Sequence, residues 1–157
     1  MIKLKNKQDC CGCSACEQIC SVNAITLKAD VQGFLYPSID TKKCVLCRRC
    51  LKACPITSPK AEKIFEQDAY LVQHKNSAIL EDSTSGGSFT AIAQAILTRG
   101  GVVFGAAYDK HFNVYHTFVE DEKELARFRN SKYVQSKMGQ VFQQVKHFLK
   151  EKRYVCF

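Results

Sequence analysis

The feature that most constrains this chain is a spacing. Cys10, Cys13, Cys16 and Cys20 follow C-x2-C-x2-C-x3-C, and Cys44, Cys47, Cys50 and Cys54 repeat it, the second copy closing on Pro55. Two copies of one spacing form an internal repeat, which is stronger evidence than either copy alone. Nine of the ten cysteines lie between Cys10 and Cys54, and only Cys156 stands apart. Counting from Cys11 breaks the pattern, so Cys11 reads as a free thiol rather than a ligand.

The setting decides what dense thiols are for. No apolar run approaches the roughly 20 residues of a membrane-spanning helix. The start, MIKLKNKQDC, is basic but lacks the apolar stretch and cleavage site of a secretory signal. The expected compartment is therefore cytoplasmic, where reducing conditions turn dense cysteines into metal ligands or redox groups rather than disulfides. A [4Fe–4S] cube needs one thiolate on each iron. Three cysteines at two-residue gaps can wrap a loop around three corners, and in two-cluster ferredoxins the fourth cysteine reaches the other cube. The expected metal ligands are Cys10, Cys13, Cys16 and Cys54 for cluster 1, and Cys44, Cys47, Cys50 and Cys20 for cluster 2. Zinc, the competing reading, prefers two separated pairs. The first copy ends in Cys20–Ser21 rather than Cys-Pro, which adds a backbone N–H and a hydroxyl beside the cluster and bears on its potential.

Between the motifs, Asn23 to Lys28 and Phe34 to Asp40 read as two short strands joined by a turn at Ala29 to Gly33. A region of this size is too small for a self-sufficient core, so its folding is expected to depend on the clusters. The polar stretch TSPKAEKIFEQD, Thr57 to Asp68, reads as a connection. The expected domains are residues 1–60, of two-cluster ferredoxin type, and 61–157, an incomplete mixed α/β domain. The fold class is α+β.

In the second half, Ala69 to His74 reads as a strand. Ser88 to Arg99 reads as a helix with Phe89, Ile92, Ala93, Ile96 and Leu97 on one face, stopped by Gly100 and Gly101. Gly101 to Tyr108 and Asn113 to Glu120 read as strands of a hairpin. Asp121 with Glu124 reads as a capping box. Met138, Val141, Phe142, Val145, Phe148 and Leu149 mark another amphipathic helix, and Arg153 to Phe157 starts a strand. A chain that stops inside an apolar β-run looks cut, the expectation being a fragment or a truncated gene product. STSGGSF, Ser83 to Phe89, opens a helix. Its small residues can expose helix N–H groups to a phosphate, or simply supply an N-cap and a turn. The basic segment Arg127 to Gly139 reads as a solvated connection or an anion site. The four histidines have no metal-ligand spacing.

The order of these stretches carries a resemblance. Two cluster motifs are followed by STSGGSFTAIAQAIL, GGVVFGAAYD, FRNSKYVQSKMG and YVCF. This resembles the coenzyme F420 hydrogenase/dehydrogenase beta-subunit family in the form fused to an N-terminal 2[4Fe–4S] ferredoxin domain. The resemblance implies an iron–sulfur flavoprotein that passes electrons between clusters, a flavin and a soluble carrier. It implies a flavin or phosphate role for Ser85, Gly86, Gly87 and Ser88. Relatives continue past the strand matching YVCF into an SGTPCQ-like loop and a long C-terminal domain. Flavin is accordingly expected only in a longer chain, and independent catalysis stays undecided.

Formal net charge is +8. Two oxidised cubes with their thiolates, each about −2, would lower it to about +4. Lys42, Lys43, Arg48, Arg49 and Lys52 crowd the second motif. Positive charge there stabilises a reduced cluster and can dock an acidic redox partner, or can be a solvated basic face. No nucleic-acid recognition motif accompanies the charge. The expected function is an iron–sulfur relay module of a flavin-dependent oxidoreductase. The alternative is a non-catalytic truncated iron–sulfur protein with a structural or partner-docking role.

Overall fold

The computed structural model describes residues 1–59 and 67–157. The chain divides into two compact units, Met1–Phe65 and Glu66–Phe157. The connection read at Thr57 to Asp68 falls mostly on residues 60–66, outside the described residues. Helices and small sheets occur in both units, so the class is α+β.

In the first unit, helix α1 (Ala15–Gln18) follows the first cysteine loop and α2 (Arg49–Ala53) follows the second. Between them β1 (Ile25–Ala29) and β2 (Leu35–Ile39) pair antiparallel, with Ile25 opposite Ile39. The turn is organised by Asp30. Its Oδ1 accepts from the N–H of Gln32 at 2.9 Å and of Phe34 at 3.0 Å. The Lys7 ammonium, 2.7 Å away, holds the Asp30 carboxyl below the usual range. The buried cluster of this unit is Ile2, Cys16, Ile25, Cys50 and Cys54. Three of these five are cysteines, so the interior is mostly ligand candidates and hardly an aliphatic core.

The second unit has α3 (Ser77–Glu81), α4 (Ser88–Leu97), β3 (Val102–Tyr108), β4 (Val114–Val119), a 3-10 stretch at Glu122–Phe128, α5 (Val141–Lys150) and β5 (Val155–Cys156). The sheet order is β4-β3-β5, with β4 antiparallel and β5 parallel to the central β3. Side chains alternate along β3, and both faces are covered. Val103 and Ala107 meet Ala93, Leu125 and Phe128, while Val102 and Phe104 meet Val141 and Phe148. Burial on both faces explains the continuous apolar run VVFGAA. Gly105 lies beneath the Phe128 ring, where an added Cβ would come 2.6 Å from Cγ. The β3–β4 turn repeats the geometry of the first unit, Asp109 Oδ1 accepting from His111 and Asn113, each at 2.8 Å.

Several expectations change. Ala69 to His74 is not a strand. Leu71 is fully exposed, and the segment is tied to the start of α4 by the His74 N–H, which donates to Gly86 O at 2.7 Å. On α4, Ile92 points to solvent at 57% exposure while Thr90 is buried, because the sheet and the 3-10 stretch cover a face turned toward position 90. Asp121 caps Lys123 N–H at 2.9 Å, but Glu124 turns to Arg127 at 3.2 Å instead of reaching back, and the element is 3-10 rather than α. Leu149 of α5 is 57% exposed, and Met138 precedes the helix.

Candidate metal centres and the serine-rich cavity

The two cysteine loops share one backbone design. In the first, Gly12 and Ser14 flank Cys13 with φ of 62° and 58°; in the second, Leu46 and Arg48 flank Cys47 with φ of 56° and 60°. Left-handed residues on both sides of the middle cysteine curl each loop around a centre. They also turn backbone N–H groups toward sulfur. Cys13 accepts from Ala15 and Cys16 from Glu17, and Ala24 N–H lies 3.2 Å from Cys20 Sγ. Such contacts stabilise a thiolate and tune any metal it holds.

Cys10, Cys13, Cys16 and Cys54 line one cavity of about 380 Å³ including its mouth, walled by Ile2, Leu4, Leu27 and Pro37. Cys20, Cys44, Cys47 and Cys50 line another of about 370 Å³, beside Ala24, Ile25 and Ile39. Near-equal volumes, each ringed by four motif thiols with Cys11 a fifth in the first, suit two copies of one occupant. Each cavity draws three cysteines from its own motif and one from the other. Among the described residues no three His, Cys, Asp or Glu side chains converge on a position for a single ion; the thiols ring cavities instead. The donor chemistry and curled loops fit an iron–sulfur cube. Cys11 is exposed, lies against Cys13 and lines the first cavity. Burial pushes the Cys16 thiol up to about 11, so at neutral pH metal must displace its proton.

In the second unit, Ser85, Gly87 and Ser88 line a cavity with Ser83, Thr84, Thr90, Arg129 and Asn130. Gly87, with φ of 72°, caps the N-terminus of α4. Gly86 is outside this lining. An added Cβ there would fall 2.0 Å from the Val72 carbonyl oxygen, so its glycine admits a close backbone approach. Arg129 belongs to the basic segment Arg127 to Gly139, which reads in sequence as a solvated connection or an anion site. It donates Nη1 to Asp82 at 3.0 Å, while its buried Nε has no partner among the described residues. Its distance in sequence from STSGGSF hid it; a lone arginine in a basic run carries no signal of its destination. His116 stacks on Phe157 at 5.7 Å between ring centroids and shares a 2.7 Å bond with Ser136 Oγ, and burial lowers its pKa.

Residues 9–58 match a 4Fe–4S dicluster domain, and a second dicluster model matches residues 36–90. The first unit is thus an iron–sulfur domain of the electron-transferring dicluster class. Residues 69–143 match the family described as coenzyme F420 hydrogenase/dehydrogenase, beta subunit N-term. The chain therefore joins a ferredoxin-type domain to a domain of that family, as the resemblance implied. No curated protein matches the chain. Among the described residues no helix is long and apolar enough to cross a membrane.

Proposed function

We propose that the first unit holds two [4Fe–4S] clusters with crossed ligation and serves as the electron relay of a flavin-dependent oxidoreductase. The observation that carries this reading is that the eight motif cysteines segregate into two like cavities, four to each, with Cys11 a fifth thiol lining the first. Each cube, when bound, takes up and releases one electron at a time. The protein's part is to hold and shield. The thiolates supply one ligand per iron, Ile2, Leu4 and Leu27 keep water from the first cavity, and the N–H groups of Ala15, Glu17 and Ala24 offset negative charge on sulfur. The reading places the protein in the cytoplasm, where these thiols stay reduced, with a redox partner protein of acidic surface. The serine-rich cavity beside Arg129 and the start of α4 suits an anionic group such as a flavin phosphate, which supports the flavin part of the proposal.

Anaerobic reconstitution tests the central claim. About eight iron and eight acid-labile sulfide per chain are expected from two four-thiolate sets. Zinc near two per chain with negligible iron would remove the assignment.

A further inference from the structure

The two sets of ligand candidates differ in exposure. In the first, Cys16 and Cys54 are buried and Cys10 and Cys13 half-buried, the exposed thiol there being Cys11, outside the ligand spacing. In the second, Cys47 is exposed and sits between Leu46, 63% exposed, and Arg48, with Val45 at 62% next to them. The backbone repeat sharpens the contrast. The place held by buried Gly12 in the first loop is held by Leu46 in the second, at φ of 62° and 56°. A leucine in left-handed backbone is strained, because its Cβ crowds the following carbonyl oxygen. A bulky apolar side chain is therefore kept outward, at a cost, where the repeat accepts glycine.

Basic residues are dense on this motif. Arg48 and Arg49 line the cavity, and Lys42, Lys43 and Lys52 are exposed on the same motif. The acidic neighbour is Asp40, which accepts from the N–H groups of Lys42 and Lys43 and lies 3.7 Å from the Lys43 ammonium. Lys42, Arg48, Arg49 and Lys52 make no ion pair among the described residues.

We propose that the Val45–Leu46 tip within its ring of Lys42, Lys43, Arg48, Arg49 and Lys52 is the port at which an acidic redox protein docks to exchange electrons through the Cys47 side of the second cluster. This rests on the reading of Cys20, Cys44, Cys47 and Cys50 as cluster ligands. Electron transfer falls steeply with distance, so the more exposed cluster is the efficient contact. A partner with carboxylates around an apolar socket matches both parts of the surface, and opposite charge speeds encounter. Lipid and nucleic acid can match the charge but accept no electron.

Stopped-flow oxidation of the reduced holoprotein tests the port. The probes are two one-electron oxidants of opposite charge, tris(oxalato)cobaltate(III) and hexaamminecobalt(III), each reduced to cobalt(II) by one cluster electron. The rate with the anion is expected to fall about tenfold as salt rises from low to physiological strength, while the rate with the cation does not fall. Lys42→Glu/Lys43→Glu/Lys52→Glu should abolish that difference at unchanged iron, sulfide and EPR signal. Lys146→Glu/Lys150→Glu/Lys152→Glu, in the second unit, should leave it in place. Leu46→Ser should slow electron transfer to an acidic flavodoxin severalfold and keep the small-oxidant difference. Equal, salt-independent rates with a full cluster complement would overturn the port while leaving the ligand reading standing. A wild-type chain that binds no iron would overturn both. Flotation with phosphatidylglycerol vesicles, lost on reversing the three lysines, would assign the ring to lipid and overturn the proposal.

Discussion

Single residues in this protein are held in place by what lies above them. Gly105 sits in the central strand where glycine is otherwise unfavourable, and the reason is the Phe128 ring against its Cα. Gly105→Ala would place a methyl 2.6 Å from Cγ and 2.8 Å from Cδ2 of that ring. Phe128 is buried and packs into the core that joins α4, β3 and the 3-10 stretch. The substitution should therefore lower the stability of the second unit by about 2 kcal/mol, within the range for overpacking, as read by denaturant unfolding of a signal from that unit. A midpoint unchanged from wild type would mean that the ring moves aside at little cost. Asp30 and Asp109 show the other kind of residue-scale control. Each accepts from the N–H groups two and four positions on, the local turn that an aspartate side chain favours.

At the scale of elements, the short helices α1 and α2 matter as distributors. Cys16 lies within α1 and Cys20 just beyond its end; Cys50 lies within α2 and Cys54 at its C-cap. Four residues advance a helix by about 6 Å, enough to send the second thiol of each pair to a different cavity. The fourth cysteines thereby stitch the two motifs together. Cys20→Ala should damage the cluster otherwise held by Cys44, Cys47 and Cys50, although those residues lie more than twenty positions away. EPR of the reduced variant should show loss or conversion of that cluster with the other retained. If Cys20→Ala instead spared it, the crossing would be wrong. Cys11→Ala is expected to leave both signals.

At the scale of the whole molecule, the two units differ in what holds them together. The buried cluster of the first is three cysteines with Ile2 and Ile25, whereas the second covers both faces of β3 with aliphatic and aromatic side chains. Removing iron leaves the first unit with two thiol-lined cavities and little apolar burial to offset chain entropy. Chelation under reducing conditions should collapse the NMR signals of residues 1–59 into the unfolded range while those of 101–120 keep their dispersion. Retention of native shifts in the first unit without iron would show that its hairpin and helices suffice.

Much was legible in the sequence because it is local. The C-x2-C-x2-C-x3-C spacing is chemistry written into contiguous residues, the β3–β4 hairpin needs only its turn, and α4 stops at Leu97, shortly before Gly100 turns the backbone left-handed. The other outcomes belong to tertiary structure. Ile92 faces solvent and Thr90 the core because position on a helix does not say which neighbours will arrive. Residues 69–74 stay unpaired as a strand because β-propensity needs a partner edge. Arg129 reaches the serine-rich cavity from more than forty residues away, and Leu46 stands exposed where its counterpart Gly12 is buried. Spacing along the chain determined which atoms could bind a cluster. Which cavity each thiol entered, and which ligand candidate stood exposed, was decided only when distant segments packed, because burial and exposure are properties of the assembled fold.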